Sequence, residues 1–574
     1  MDILLVASAF NSLSQRVYAE LSDLGHRVDV VLATHGADPV RAAMHERRPD
    51  LVVAPMLRTA LPEDVWREHT CLIVHPGPPG DRGPSSLDWA IAEEAPHWGV
   101  TVLQAEAAMD AGDIWAAESF PVPPVGKSDL YRNEASDAAV AAVLLAVRRY
   151  ADASYKPRPQ TDGTDASVRV VWRDFFRQER RRIDWENDST TTVLRKLHGA
   201  DSQPGVLDEL LGREVFLHGG HPEDRLRGRP GELLATRSGA VCRATRDGAV
   251  WIPELRPRKN SGDPAPFRRP AASVLASFSA RDTRALPEAD VPLELSPHRH
   301  TWTDIRYRQR GDVGFLSFSF PGGAMSTDQC RRLLAGYEHA LARPTSVLVL
   351  GSDRDFFSNG IHLNVIEASA DPAAESWTNL NAIDDLVEAV LRTTDRLVVA
   401  ALPGNAAAGG AMLALAADQV WCRTGAVLNP HYRRMGLYGS EFWTYTLPRR
   451  AGAGAARRLT DEALPVSAAS AERIGLVDRL VPAGPGAFAA EVERLAAALA
   501  GAPDLRHRIA AKAAARRSDE ETRPLADHRR DELARMHAVF FDPEAPYHAL
   551  RSAFVRKQPA ASARPLAPPA GGSR

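Results

Sequence analysis

The sequence predicts an α/β multidomain protein, and three observations carry that prediction. The chain has 574 residues, more than one hydrophobic core can organise, so several domains are expected. Its hydrophobic fraction of 44% and charged fraction of 25% are those of an ordinary globular protein. Short apolar runs alternate with amphipathic stretches in two separate long segments, as sheets flanked by helices require.

In the first segment Ile3 to Ala7, Val28 to Val31, Leu51 to Ala54, Leu72 to His75 and Val100 to Leu103 read as buried strands. Ser14 to Leu24 and Pro39 to Arg47 read as the helices between them, giving a mainly parallel, Rossmann-like sheet with its ligand site at the strands' carboxyl ends. The opening MDILLVASAF has no basic region and no cleavage site, so it reads as a strand and not a signal peptide. A polar linker is expected over Lys156 to Ala166. From about Ser167 a helix at Ser189 to Leu197 precedes short strand-like pieces with Gly and Asp-Gly turns, which predict a small β barrel. After a Pro-, Arg- and Asp-rich loop the second α/β segment begins near Ile305. Its strands are Val313 to Phe318, Ser346 to Gly351, Leu397 to Ala401 and Gln419 to Cys422, and its helices include Thr327 to Leu341 and Asp384 to Thr393. Beyond Gly486 the chain reads as helical, ending in a Pro-, Ala- and Gly-rich tail expected to be disordered. The domains read from this are 1–160, 167–285, 300–500, 501–556 and the tail 557–574.

A net charge of -3 makes no electrostatic case for nucleic acid or an anionic membrane surface, and no apolar run is long enough to span a bilayer. Cys71, Cys242, Cys330 and Cys422 lie far apart without a metal-like spacing, so no metal site is expected and a reducing, cytoplasmic setting is.

Two regions carry chemistry. In CLIVHPGPPGDRGPSSLDWAI a strand delivers His75 to its carboxyl end, and GVTVLQAEAAMDAGDIW places Asp110 just past another strand. A histidine and a carboxylate at the ends of parallel strands suit proton handling in a crevice, and the same residues also fit a capping histidine and a turn-forming aspartate. In the second segment the loop SDRDFFSNGIHLN and the stretch ALPGNAAAGGAMLALAADQVW put small residues at the mouth of an apolar helix. There backbone N–H groups can approach a ligand and stabilise developing negative charge, although close helix–strand packing also calls for glycine.

The first region resembles the 10-formyltetrahydrofolate-dependent formyltransferases, which carry Asn-x-His-Pro, Arg-Gly and Asp-x-Gly-Asp-Ile. His75, Arg82, Gly83, Asp110, Gly112, Asp113 and Ile114 match, while Ile73 stands at the asparagine position. The resemblance implies proton transfer and stabilisation of a tetrahedral intermediate by His75 and Asp110. It also implies folate binding at Arg82, Gly83, Ser85, Gly112, Asp113 and Ile114. With Ile73 unable to donate, either Ser85, Ser86 or a backbone N–H replaces the lost asparagine donor or the acceptor chemistry differs. The barrel, with Ile183-Asp184-Trp185, looks like that family's C-terminal domain.

The second region resembles the crotonase (enoyl-CoA hydratase/isomerase) superfamily and implies its α/β spiral fold with C-terminal helices. By position the oxyanion-hole amides are those of Ser358 and Gly409, with Gly360 and Gly410 beside the coenzyme A thioester. The two hydratase glutamates fall at Met412 and His431, so two-carboxylate hydration is excluded. In NPHYRRMGLYGSEFWTYTLPRR, Glu441 with Tyr432 and Tyr438 is the candidate acid/base set, and an aromatic core with a helix-end glutamate is the alternative.

Fused in this order, the two regions look like a family of hydrogenase maturation proteins. That likeness implies supply of the carbon monoxide ligand of a nickel–iron site from 10-formyltetrahydrofolate. The implied route is formyl transfer to coenzyme A and decarbonylation of formyl-CoA, with small-molecule substrates and maturation proteins as partners. Two other readings stand beside it: a formyltransferase for an amine with a passenger crotonase module, and a non-catalytic scaffold that binds folate and coenzyme A.

Overall fold

The computed structural model describes residues 1–33, 38–160, 170–352 and 354–558. Residues 161–166 of the expected linker and 559–574 of the expected tail lie outside the described residues.

The first module is a six-stranded sheet in the order Arg27–Leu32, Asp2–Ala7, Leu51–Met56, Cys71–His75, His97–Gln104 and Ile114–Pro121. Its strands are apolar at nearly every position because both faces are covered. Ile3, Leu5 and Val53 pack toward Val140 and Val143 of the helix Ser136–Ala151, whereas Leu4, Val6 and Val52 pack toward Val40 and Met44 of Asp38–Arg47. The first four strands are parallel, as the alternation predicts. The strand read at Val100 to Leu103 is antiparallel to Cys71–His75, a correction to the expectation that His75 and Asp110 both follow parallel strands. Between these two strands the only helix is Ser86–Ala92, seven residues long. It spans about 10 Å, too little to carry the chain back past a strand of about 17 Å.

Residues beyond the linker first return to this module, where Val171–Trp172 pairs with Asp81–Arg82. Two four-stranded antiparallel sheets follow, Arg269–Pro270, Glu254–Pro257, Arg213–His218 and Val206–Leu210 in one and His221–Glu223, Ala249–Ile252, Ala240–Ala244 and Leu233–Arg237 in the other. Val206, Val215 and Leu217 of the first meet Val241, Val250 and Ile252 of the second in one core, the small all-β unit the sequence predicts.

The third module has a sheet in the order Ile305–Arg310, Val313–Phe318, Val347–Gly351, Leu397–Leu402, Gln419–Arg423 and Arg479–Val481, parallel except for its first pair. The helix expected at Asp384 to Thr393 is the end of a longer one, Pro372–Arg392. Its true start is set by the Asp371 side chain, which accepts from the Ala373 and Ala374 amides, with proline in the first turn. The helices Phe488–Ala500, Leu505–Thr522, Leu525–Phe541 and Pro546–Arg556 complete the chain. No helix among the described residues is long and apolar enough to cross a membrane.

A seam of ion pairs joins the first and third modules. A single π-helical turn, Tyr131–Ala135, leads into Ser136–Ala151. Around it Asp129, Glu134 and Asp137 meet arginines of the third module. Arg354 Nη2 lies 3.0 Å from Asp129 and 2.8 Å from Glu134, and Arg423 Nη1 lies 2.9 Å from Asp137, which also pairs with Arg16. The Arg423 side chain is only 3% exposed, so its charge has little access to water. Stranding such a group costs several kcal/mol. With Asp137 about a third exposed, Asp137→Asn is expected to lower stability by about 2 kcal/mol, read by urea denaturation against the parent protein. An unchanged midpoint would mean that the seam contributes nothing.

Candidate active site

Cys71–His75 ends on His75, which is buried at the carboxyl end of its strand. Its two ring nitrogens face two carboxylates. Nε2 lies 2.9 Å from Asp81 Oδ2, and Nδ1 lies 3.4 Å from Asp110 Oδ2. Asp81 is itself fixed, since Ser86 Oγ donates to Oδ2 at 2.7 Å and Arg173 Nε donates to Oδ1 at 2.8 Å. Asp110 has a left-handed backbone and accepts the Gly83 N–H at 3.1 Å. Gln160 ties the two loops together by accepting from the Gly80 N–H and donating to the carbonyls of Asp110 and Gly112. Gly77 must be glycine, because a Cβ there would collide with both His75 Nε2 and Asp81 Oδ2. A histidine flanked in this way can exchange a proton with a carboxylate on either side.

The other residues read from this motif divide. Arg82 reaches in beside Gln160 with a buried Nε that has no hydrogen-bond partner, a donor suited to a polar ligand. Ser85 has a left-handed backbone and its side chain caps no helix amide. Ser86, the other expected replacement donor, has its proton committed to Asp81. Gly83 and Gly112 are packed against the carbonyls of Arg173 and Gln104, the Asp113 carbonyl accepts from the Gln104 amide, and Ile114 is buried and paired with Arg158. These four shape the loop from within.

In the third module, Phe357 N–H donates to the Asn405 carbonyl and Ala407 N–H to the Ser358 carbonyl, which sets residues 354–360 beside the 404–408 turn. Ala408, with a φ of 47°, turns the chain into Gly409–Leu415. Among the described residues neither the Ser358 nor the Gly409 amide donates a hydrogen bond, so both can polarise a carbonyl. Gly360 approaches the Gly409 amide, and Gly410 lies against the Ser358 carbonyl.

Glu441 is buried directly against this turn, so that a Cβ on Gly409 would strike its Oε1. Its Oε2 accepts the Tyr432 hydroxyl at 2.7 Å and the Ser440 amide at 3.1 Å. Burial first, and the charge of Asp384 second, push the Glu441 carboxyl well above the usual range; burial and Glu441 push the Tyr432 phenol up in turn. Tyr438 is not brought to Glu441. It lies against Trp443 with ring centroids 5.2 Å apart and planes tilted by 57°, under the Arg535 guanidinium. His431 turns to the Asn429 carbonyl, and Met412 is buried against Thr446, so no carboxylate stands at either hydratase position.

Sequence reasoning missed Asp81, Gln160, Arg173, Asp384 and Glu532. Asp384 carried a signal, an acidic pair inside the apolar run NLNAIDDLVEAVL. Glu532 carried none. A further feature joins all three modules: Lys557 is held below the usual lysine range by burial and by the charges of Arg268, Arg58 and Arg256.

Residues 176–267 match the formyl transferase C-terminal domain family, and residues 331–554 match the enoyl-CoA hydratase/isomerase family. The hydrogenase maturation factor HoxX of Bradyrhizobium diazoefficiens is 48% identical over 97% of this chain and 95% of its own length. The crystal structure of HypX from Aquifex aeolicus in complex with tetrahydrofolic acid is 42% identical with a TM-score of 0.92, covering 97% of this chain and 96% of that one. A methionyl-tRNA formyltransferase of Syntrophus aciditrophicus is 28% identical over 32% of this chain and 59% of its own length.

Burial raises the Glu532 carboxyl to about 8. Its folded value lies above its unfolded one, so its contribution to stability is fully present below the unfolded value near 4.5 and is lost as pH rises through about 8. Thermal melts between pH 6 and 9 should therefore show a declining Tm. A Glu532→Gln variant with an equally steep decline would contradict this assignment.

Proposed function

As the chain belongs to the HypX/HoxX family of hydrogenase maturation factors, we propose that it makes the carbon monoxide ligand of a nickel–iron hydrogenase site from 10-formyltetrahydrofolate. The folate and coenzyme A enter as co-substrates. In the first crevice the coenzyme A thiol sulfur bonds to the formyl carbon and the bond from that carbon to folate N10 breaks. His75, between Asp81 and Asp110, takes the thiol proton and returns one to N10. The unpartnered Arg82 Nε fits a polar group of the folate.

The observation that carries the second half is the Glu441–Tyr432 pair buried against Gly409. Formyl-CoA has no α-carbon to deprotonate, so the proton within reach of a base is the formyl one. Glu441 takes it, the carbon–sulfur bond breaks, carbon monoxide leaves, and the thiolate receives a proton from Tyr432 or from Glu441. The products are carbon monoxide and coenzyme A, with atoms and charge balanced. The Ser358 and Gly409 amides hold the thioester oxygen, and Met412 keeps an activated water away from the carbonyl. Lys557, whose ammonium pKa is lowered by burial and by the charges of Arg268, Arg58 and Arg256, supplies a seat for the phosphates of coenzyme A.

The two steps separate by substitution. Glu441→Gln should accumulate formyl-CoA from formyl-folate and coenzyme A while carbon monoxide, trapped by deoxymyoglobin, falls by at least about 100-fold. His75→Gln should make no formyl-CoA yet release carbon monoxide from added formyl-CoA at the parent rate. Carbon monoxide at parental rates from Glu441→Gln would sink the second step. Lys557→Gln should raise the KM for coenzyme A about tenfold and leave that for formyl-folate unchanged; equal effects on both would remove Lys557 from the phosphate seat.

A further inference from the structure

The turn that carries Glu441 is held by two other buried carboxylates that take no part in the steps above. Glu441 and Phe442 both adopt left-handed backbone, with φ of 57° and 58°, shortly after Gly439 at 97°. Asp384, from the helix Pro372–Arg392, accepts the Glu441 N–H at 2.8 Å and the Ser440 hydroxyl at 2.9 Å. Glu532, from the helix Leu525–Phe541, accepts the N–H groups of Phe442 at 2.9 Å and Thr444 at 2.8 Å, and also the Thr444 hydroxyl. Both amides of the left-handed pair, turned away from normal helical bonding, are thus received by carboxylates.

We infer that Asp384 and Glu532 are positioning residues for the decarbonylation site, clamping the Glu441–Phe442 turn from two helices so that the Glu441 carboxyl is fixed against Gly409. This rests on the role assigned to Glu441 above. Each of the two acids offers two acceptor oxygens, and in both residues both oxygens receive donors from the turn. The clamp has a second effect, since two acids beside Glu441 disfavour its ionised form and make it a stronger base once ionised. The groups facing Glu441 are Tyr432 on its own segment, Asp384 on one helix and Glu532 on the other, with Cys330 beyond, while Arg529 faces Asp384. Arg529 is engaged by Asp385 and Glu388, so it does not cancel the effect of Asp384.

The test uses the full chain with added formyl-CoA and reads carbon monoxide release from pH 5 to 9. The activity needs ionised Glu441, so it rises with pH through the Glu441 titration. Asp384→Asn removes the charge that acts most strongly on Glu441 and should move that rising limb to lower pH by about one unit, whereas Glu532→Gln removes a charge that develops only as pH rises through about 8 and should move it in the same direction by less. They should also lower the plateau kcat by about tenfold or more with little change in KM. Infrared difference titration of the Glu441 carboxyl band, identified by its loss in Glu441→Gln, should shift in the same direction. A merely structural role would reduce the active fraction and leave the limb and the band where they are, which would overturn the inference. If Asp384→Asn does not fold, Glu532→Gln decides alone, because one of its two acceptor oxygens is retained. Full activity in Glu441→Gln would instead defeat the role of Glu441, an outcome distinct from failure of the clamp.

Discussion

A charged group shut away from water must have its counter-charge brought to it, and in this chain that requirement links distant parts of the sequence. Arg423 ends a central strand of the third module, yet its carboxylate, Asp137, lies on a helix of the first. Arg354 is answered in the same way by Asp129 and Glu134. The π-helical turn at Tyr131–Ala135 lies among these acids, carrying Glu134 between Asp129 and Asp137. Neither module can satisfy these groups alone, so the formyltransferase-type and crotonase-type parts are fixed against each other as one body.

The same principle, acting within each site, sets the chemistry. His75 is held between Asp81 and Asp110, with Arg173 reaching back from beyond the linker to fix Asp81. Glu441 is held by acceptors on two helices, one of them in the C-terminal helical region. In both places segments remote in sequence supply the groups that orient the central residue. Catalysis of this kind depends on such orientation, since misplacement of a base by about 1 Å costs about 100-fold in rate.

What the sequence made legible follows from this division. Strands and helices covered on a known face announce themselves by local pattern, so the α/β modules, the small β unit and the helices Thr327–Leu341 and Thr190–His198 were readable, the two helices to within a residue or two. The candidate pairs His75–Asp110 and Tyr432–Glu441 were readable because each sits in a local motif. Strand direction after His75 was not, because it depends on how far a short helix can carry the chain. Gln160, placed in an expected linker, is instead buried between two loops. Asp384 and Glu532 were invisible as a pair because they lie 148 residues apart, a separation that only the packing of their helices closes. Tyr438 had the right residue type in the right segment, but its ring faces Trp443 and Arg535.

We propose that one chain passes the formyl carbon from folate to coenzyme A and then releases it as carbon monoxide. The most direct measurement supplies 10-formyltetrahydrofolate labelled with carbon-13 in the formyl group, with and without coenzyme A, and follows the infrared band of carbon monoxide bound to myoglobin. Labelled carbon monoxide is expected, in proportion to folate consumed, only when coenzyme A is present. Labelled formate without carbon monoxide, or carbon monoxide formed equally well without coenzyme A, would contradict it.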